Sequence, residues 1–263
     1  MKRSILNALA FTLAFCVSTT LSAQDNSSGQ VTYEQITAYD FGEYQTDARW
    51  ESWLADQPKS GKYSYLLSFS ENKAFYEKDP TDNAQMPAKL QSALRKANWN
   101  KGPKAETKEI YYDFDEGEQT EQIEFMTRSF QVTSEITSQA WKFTSKKKKV
   151  LDYICIGAEM TRDDIVYTAW FTSEIPISGG PAGYSGLPGL VLAVEKNEAV
   201  FILATKVDLS IQPGNLEAKL KDGKKMSREN FDQTVTEKVA EFTESLKNKS
   251  SNGAVKRLGG KGE

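Results

Sequence analysis

Any chemistry in this chain would have to be built from one usable thiol, no imidazole and a run of glycines. The 263 residues contain no histidine and only two cysteines, Cys16 and Cys155. Activation of a serine or cysteine by a neighbouring imidazole is therefore excluded. Ser185 lies in GYSGLPG, but Leu187 stands where a nucleophile elbow needs its second glycine. A Ser–Lys pairing stays open in principle, with no lysine motif to support it. The glycines at 183, 186 and 189 do not form a phosphate cradle either. Such loops run into a helix, whereas these run into LVLAVE, a strand pattern, and Pro188 removes a donor. No catalytic residue is assigned.

Cys155 sits in VLDYICIGAEM between Ile154 and Ile156. It is a reactive nucleophile, a soft-metal ligand or a buried thiol, and its apolar strand favours the last. With no histidine, Cys155 and Met160 make a thin ligand set, so neither a metal nor a cofactor is expected. The acidic run DFDEGEQTE (113–121) lacks calcium-loop spacing and reads as a hairpin tip. Trp50, Trp53, Trp99, Trp141 and Trp170 either fill a core or line a concave face, and the core reading is preferred.

The elements that must position these residues begin with an export signal. Lys2 and Arg3, an apolar stretch from Ile5 to Val17 and Leu21-Ser22-Ala23 have the layout of a secretory signal peptide over 1–23. Cleavage near Ala23–Gln24 leaves about 240 residues, the size of one domain, spanning 24–263. It also removes Cys16, so no intramolecular disulfide can form. The apolar run is too short to span a membrane, and the mature chain has no transmembrane segment. The formal charge of −3 becomes more negative once Lys2 and Arg3 leave, which argues against nucleic acid as a partner. The expected location is the periplasm or the outer membrane's periphery.

The rest of the chain reads as a β meander. Short β-branched or aromatic runs at 62–70, 73–78, 109–114, 121–126 and 129–135 predict strands, with a short helix or crossover over 86–96. Residues 140–145 and 150–160 predict a hairpin with Lys146–Lys149 at its bend. Strands over 165–177 and 199–209 flank the glycine-rich stretch and LVLAVE, and Pro176 ends the first of these or places it at an edge. Residues 227–248 carry apolar positions at helical spacing behind a Ser227 N-cap, giving one amphipathic C-terminal helix. The fold class is mainly β (β-rich α+β): a curved antiparallel sheet or half-open β-barrel with that helix across its mouth.

The run AWKFTSKKKKVLDYICIGAEM, then TAWFTSEIPI, GGP and YSGLPGLVLAVE, resembles the GLPGLI family of exported Gram-negative proteins. The likeness spans roughly residues 60 to 210. The family's bulky aromatic pair after GP is replaced here by Ala182 and Gly183. The resemblance implies export and a β-rich body, and no settled activity. Pro176, Pro181, Gly186, Leu187, Pro188, Gly189 and Leu190 are read as structural, carrying the chain round a corner of the sheet. An apolar cavity lined by Trp141, Tyr153, Cys155, Trp170 and Phe171 is the expected binding site. The leading expectation is a non-catalytic envelope protein that binds an apolar small molecule, a lipid or an outer-membrane protein partner. The alternatives are a structural or docking component of an outer-membrane assembly, and an enzyme with an unrecognised site near Cys155.

Overall fold

The computed structural model describes residues 26–41, 48–98, 101–136 and 140–258. The expected signal peptide, Trp99 and the side chain of Trp50 lie outside the described residues. Twelve strands build one sheet. In chain order they are β1 (Ser28–Ala38), β2 (Ser60–Ser70), β3 (Lys73–Lys78), β4 (Glu106–Asp113), β5 (Glu118–Phe125) and β6 (Arg128–Glu135). There follow β7 (Lys142–Val150), β8 (Tyr153–Arg162), β9 (Ile165–Thr172), β10 (Leu190–Lys196), β11 (Ala199–Asp208) and β12 (Lys224–Ser227). Helix α1 (Ala48–Ala55) precedes β2, α2 (Ala88–Ala97) joins β3 to β4, and α3 (Arg228–Leu258) follows β12.

The sheet order is β12-β6-β5-β4-β3-β2-β1-β11-β10-β9-β8-β7, and the sheet does not close into a barrel. Two meanders, β1–β6 and β7–β11, are joined by the β1–β11 ladder. Every pair is antiparallel except β12 on β6, which is parallel. Several hairpins turn on two residues that both hold positive φ: Met126–Thr127, Asp163–Asp164 and Asn197–Glu198. That geometry matches the right-handed twist of the flanking strands.

The lysine run is not a bend. Lys146–Lys149 lie within β7, and the chain turns at Leu151 and Asp152 instead. As the sheet's outermost strand, β7 carries its lysines as edge charges, which discourage edge-to-edge pairing. Lys146 meets Glu159 at 2.9 Å and Lys148 meets Glu195 at 2.7 Å.

The main core runs from Val31, Tyr33, Leu67 and Tyr112 to Ala169, Phe171 and Leu190–Val194. All five residues from Leu190 to Val194 are fully buried, so LVLAVE is a strand covered on both faces. A smaller core of Ile123, Phe125, Phe130 and Val132 receives Phe231 of α3. Phe231 packs edge-to-face on Phe125 and Phe130, at 6.3 and 5.3 Å between ring centres. The C-terminal helix thus docks at the β5–β6 end of the sheet. It does not roof Trp141, Tyr153, Trp170 and Phe171, because its apolar stripe finds its partners on the hairpin beside β12.

Candidate functional site: a tyrosine-walled cleft under a glycine-rich strap

Between β9 and β10 the chain makes a compact excursion over residues 173–189. Its backbone closes on itself: Gly186 N–H donates to Ser178 O at 2.9 Å, Val191 N–H to Gly179 O and Leu190 N–H to Ile175 O at 3.1 Å each. β9 and β10 are direct neighbours, joined by this stretch. It lies across the sheet as a strap. Tyr112 on β4 accepts from Gly183 N–H at 3.1 Å and donates to Gly180 O at 3.4 Å. Tyr33 on β1 donates to Val191 O at 2.7 Å, and Trp141 Nε1 donates to Ser185 O at 3.1 Å. β4 stands five places from β10 in the sheet order, about 24 Å away if the sheet were flat. The sheet must curl strongly for one short strap to reach both.

The glycines make this course possible. Gly189 holds φ +146° and a Cβ there would lie 2.1 Å from Thr172 O. Gly180 is extended, but its Cβ would lie 1.9 Å from Tyr184 O. Gly186 is left-handed at φ 83°. Leu187 is buried in the core beneath the strap.

Against the strap the curled sheet leaves a cleft of about 380 Å3. Its walls are Tyr65, Tyr76 and Ile110 on one side and Ala182–Tyr184 on the other, with Gln35, Gln119 and Glu121 as polar lining. Arg162, at the end of β8, and Lys108 also line it. Alternation along the strands puts these side chains on one face: Tyr65 is the register partner of Tyr33, and Tyr76 that of both Leu67 and Ile110. Tyr65 stacks on Tyr76 with ring centres 5.2 Å apart and planes 6° apart. Tyr76 is buried and donates to Gln35 Oε1 at 3.0 Å, so Tyr65 is the half-buried outer ring. Tyr184 packs edge-to-face on Phe201 at 5.7 Å.

Burial raises the Tyr65 and Tyr76 phenols and pushes Tyr184 up to about 12, so all three are neutral at physiological pH. Glu121 is already engaged. It pairs with Arg228, the first residue of α3, and accepts from Thr107 Oγ1 at 3.0 Å and Gln119 Nε2 at 3.3 Å. A carboxylate so held is an anchored hydrogen-bond acceptor. Arg162 has no carboxylate partner among the described residues and stands near Tyr184.

The residues singled out in the sequence lie elsewhere. Cys155, Trp170 and Phe171 are buried in the main core, with Trp141 and Tyr153 packed against it, and none of the five lines this cleft. Burial pushes the Cys155 thiol up to about 11, so the thiolate is scarce at neutral pH. Its cross-strand neighbour Lys148 is held by Glu195 and sits over the Trp170 ring at 5.5 Å. Among the described residues no three His, Cys, Asp or Glu side chains gather as a metal site. No described helix is long and apolar enough to cross a membrane.

Comparison with known proteins adds a family segment and a fold likeness. Residues 158–193, from β8 through the strap to β10, match a family described as "Protein of unknown function (Porph_ging)". No curated protein matches the chain. Two solved structures of PNGF-II, in P21 and C2 space groups, superpose with TM-scores of 0.52 and 0.51 at 15% identity. They cover 81% and 80% of this chain but only 34% and 33% of PNGF-II. The chain therefore spans about a third of the proteins it superposes on, and at this identity the likeness is one of fold.

Proposed function

We propose that this chain is a non-catalytic binding protein of the cell envelope, reached through the export signal read in residues 1–23, and that its ligand occupies the tyrosine-walled cleft. The observation that carries the reading is the cleft itself. It has the size of a small-molecule site and is bounded by a strap that Tyr33, Tyr112 and Trp141 hold in place. Its polar groups converge around ring faces, so the ligand is amphiphilic, with a flat apolar face and a hydrogen-bonding rim. The engaged Glu121 and the buried, protonated Cys155 support binding over catalysis.

Native mass spectrometry of the full chain purified from an exporting host tests this. We expect extra mass that is lost on denaturation, and no such mass on the Tyr65→Ala and Tyr184→Ala variants. Bare wild-type protein at the mass of the mature chain would defeat the reading and favour a docking role. One observation supports that second role: Phe143 and Ile154 share a face of the β7–β8 hairpin and are 62% and 53% exposed.

A further inference from the structure

A second, wider cavity adjoins the cleft. It is an open groove of about 1000 Å3, and it shares Gln119 and Glu121 with the first. From these β5 residues it runs over Thr133 and Ser134 of β6 to the junction of β12 and α3 around Ser227 and Arg228. One continuous trough thus extends from the tyrosines to the start of α3.

The lining restricts what can lie there. The tyrosine cleft has one large aliphatic side chain, Ile110, and the groove adds Met226, too little for an acyl chain. Four carboxylates and four cations line the two cavities together, so neither a polyanion nor a polycation is favoured. Hydroxyl, amide and carboxylate groups supply donors and acceptors throughout. The trough also lies on the face of the sheet, where the backbone groups of β4, β5 and β6 are already paired in ladders. The groove ends against β12, the outermost strand, so a peptide added to that edge is the competing occupant, and the Gly-Ser hexapeptide below tests it.

Resting on the cleft being the ligand site, we infer that the ligand is an uncharged oligosaccharide. One sugar ring lies with its C–H face on Tyr65, and the chain passes Gln119 and Glu121 into the groove along β6. A sugar ring presents an apolar face and a rim of hydroxyls that both donate and accept. The trough offers that pairing: a ring face at one end, then polar groups of both senses. Arg228 and Glu121, held together as an ion pair in the groove, present fixed polar groups to the rings beyond the first.

Calorimetric titration of the full chain with glucose, cellohexaose and chitohexaose tests this, with palmitate and a Gly-Ser hexapeptide as comparators. We expect a hexasaccharide to bind at least about tenfold tighter than glucose. Tyr65→Ala should weaken it about tenfold while Tyr65→Phe, which keeps the ring, stays within about threefold of wild type. Ser134→Val, in the groove directly across the ladder from Gln119, should erase the gain with chain length while the melting temperature holds. If palmitate or the hexapeptide binds and Tyr65→Ala abolishes it, the cleft reading stands and the saccharide inference falls. Saccharide binding that is equal in wild type, Tyr65→Ala and Tyr65→Phe defeats both. If no saccharide binds, the inference is overturned outright, and retained mass in native spectrometry judges the cleft separately.

Discussion

Gly189 and Gly214 are the same residue type under opposite constraints. A Cβ at Gly189 would collide with the Thr172 carbonyl, at a φ that L side chains rarely adopt, whereas nothing lies within 4 Å of a Cβ at Gly214. Gly189→Ala should therefore leave little soluble folded protein, and Gly214→Ala should melt within about 0.5 kcal/mol of wild type. Equal melting curves for the two would mean that the strap is not built as described. Tyr112→Phe removes the phenol that bonds Gly183 N–H and Gly180 O in a buried site. It should lower stability by about 1–3 kcal/mol in urea unfolding, because the buried Gly180 carbonyl loses the phenol's hydrogen bond away from water. Cys155 gives a pH signature. Its pKa is raised on folding, so the stability it lends is complete below its ordinary value near 9 and is lost as pH rises through about 11. Cys155→Ala should flatten the stability profile across that window and leave the slope below it unchanged. At this scale, the buried thiol was legible in the sequence. The cleft was not, because Tyr65, Tyr184 and Arg162 come from three separate segments.

Among the elements, α3 depends on one ring. Phe231 is buried between Phe125 and Phe130, and the helix meets the sheet at β5, β6 and β12. Phe231→Ala should cost about 3–5 kcal/mol, and hydrogen exchange should speed up in α3 and β12 before the centre of the sheet. Uniform exchange across the sheet would contradict that hierarchy. The β5–β6 turn offers the reverse experiment. Met126 and Thr127 both hold positive φ, and Thr is β-branched. Replacing the pair by Asn-Gly should raise the melting free energy by about 1–2 kcal/mol. Short β-branched or aromatic runs bounded by polar residues, such as KAFYEK and SFQVTSE, were legible with nearly their observed bounds. β1 was not, because Gln35 breaks the pattern on the inward face where it lines the cleft. The lysine run misled for a related reason: an edge strand tolerates a charged row that a central strand would not.

The whole molecule is one curled sheet whose face is crossed by a strap, and the glycine-rich punctuation was visible before any contact was known. Its spanning role was not legible, since it depends on β4 approaching β10, and no local pattern encodes that approach. Where the strands sit also bears on how the chain reaches its folded state. β1 comes early in the sequence yet lies mid-sheet, with Gln30 opposite Asp208. A chain made from its N-terminus can pair β1 with β2 early, but the other side of β1 has no partner until β11 exists. Val31 and Tyr33, completely buried at the end, are left with an open flank through most of synthesis. Ladders between such distant segments form slowly, so the molecule is most prone to aggregate while this seam is open. The centre of the sheet closes only when β11 has been made, after ten other strands.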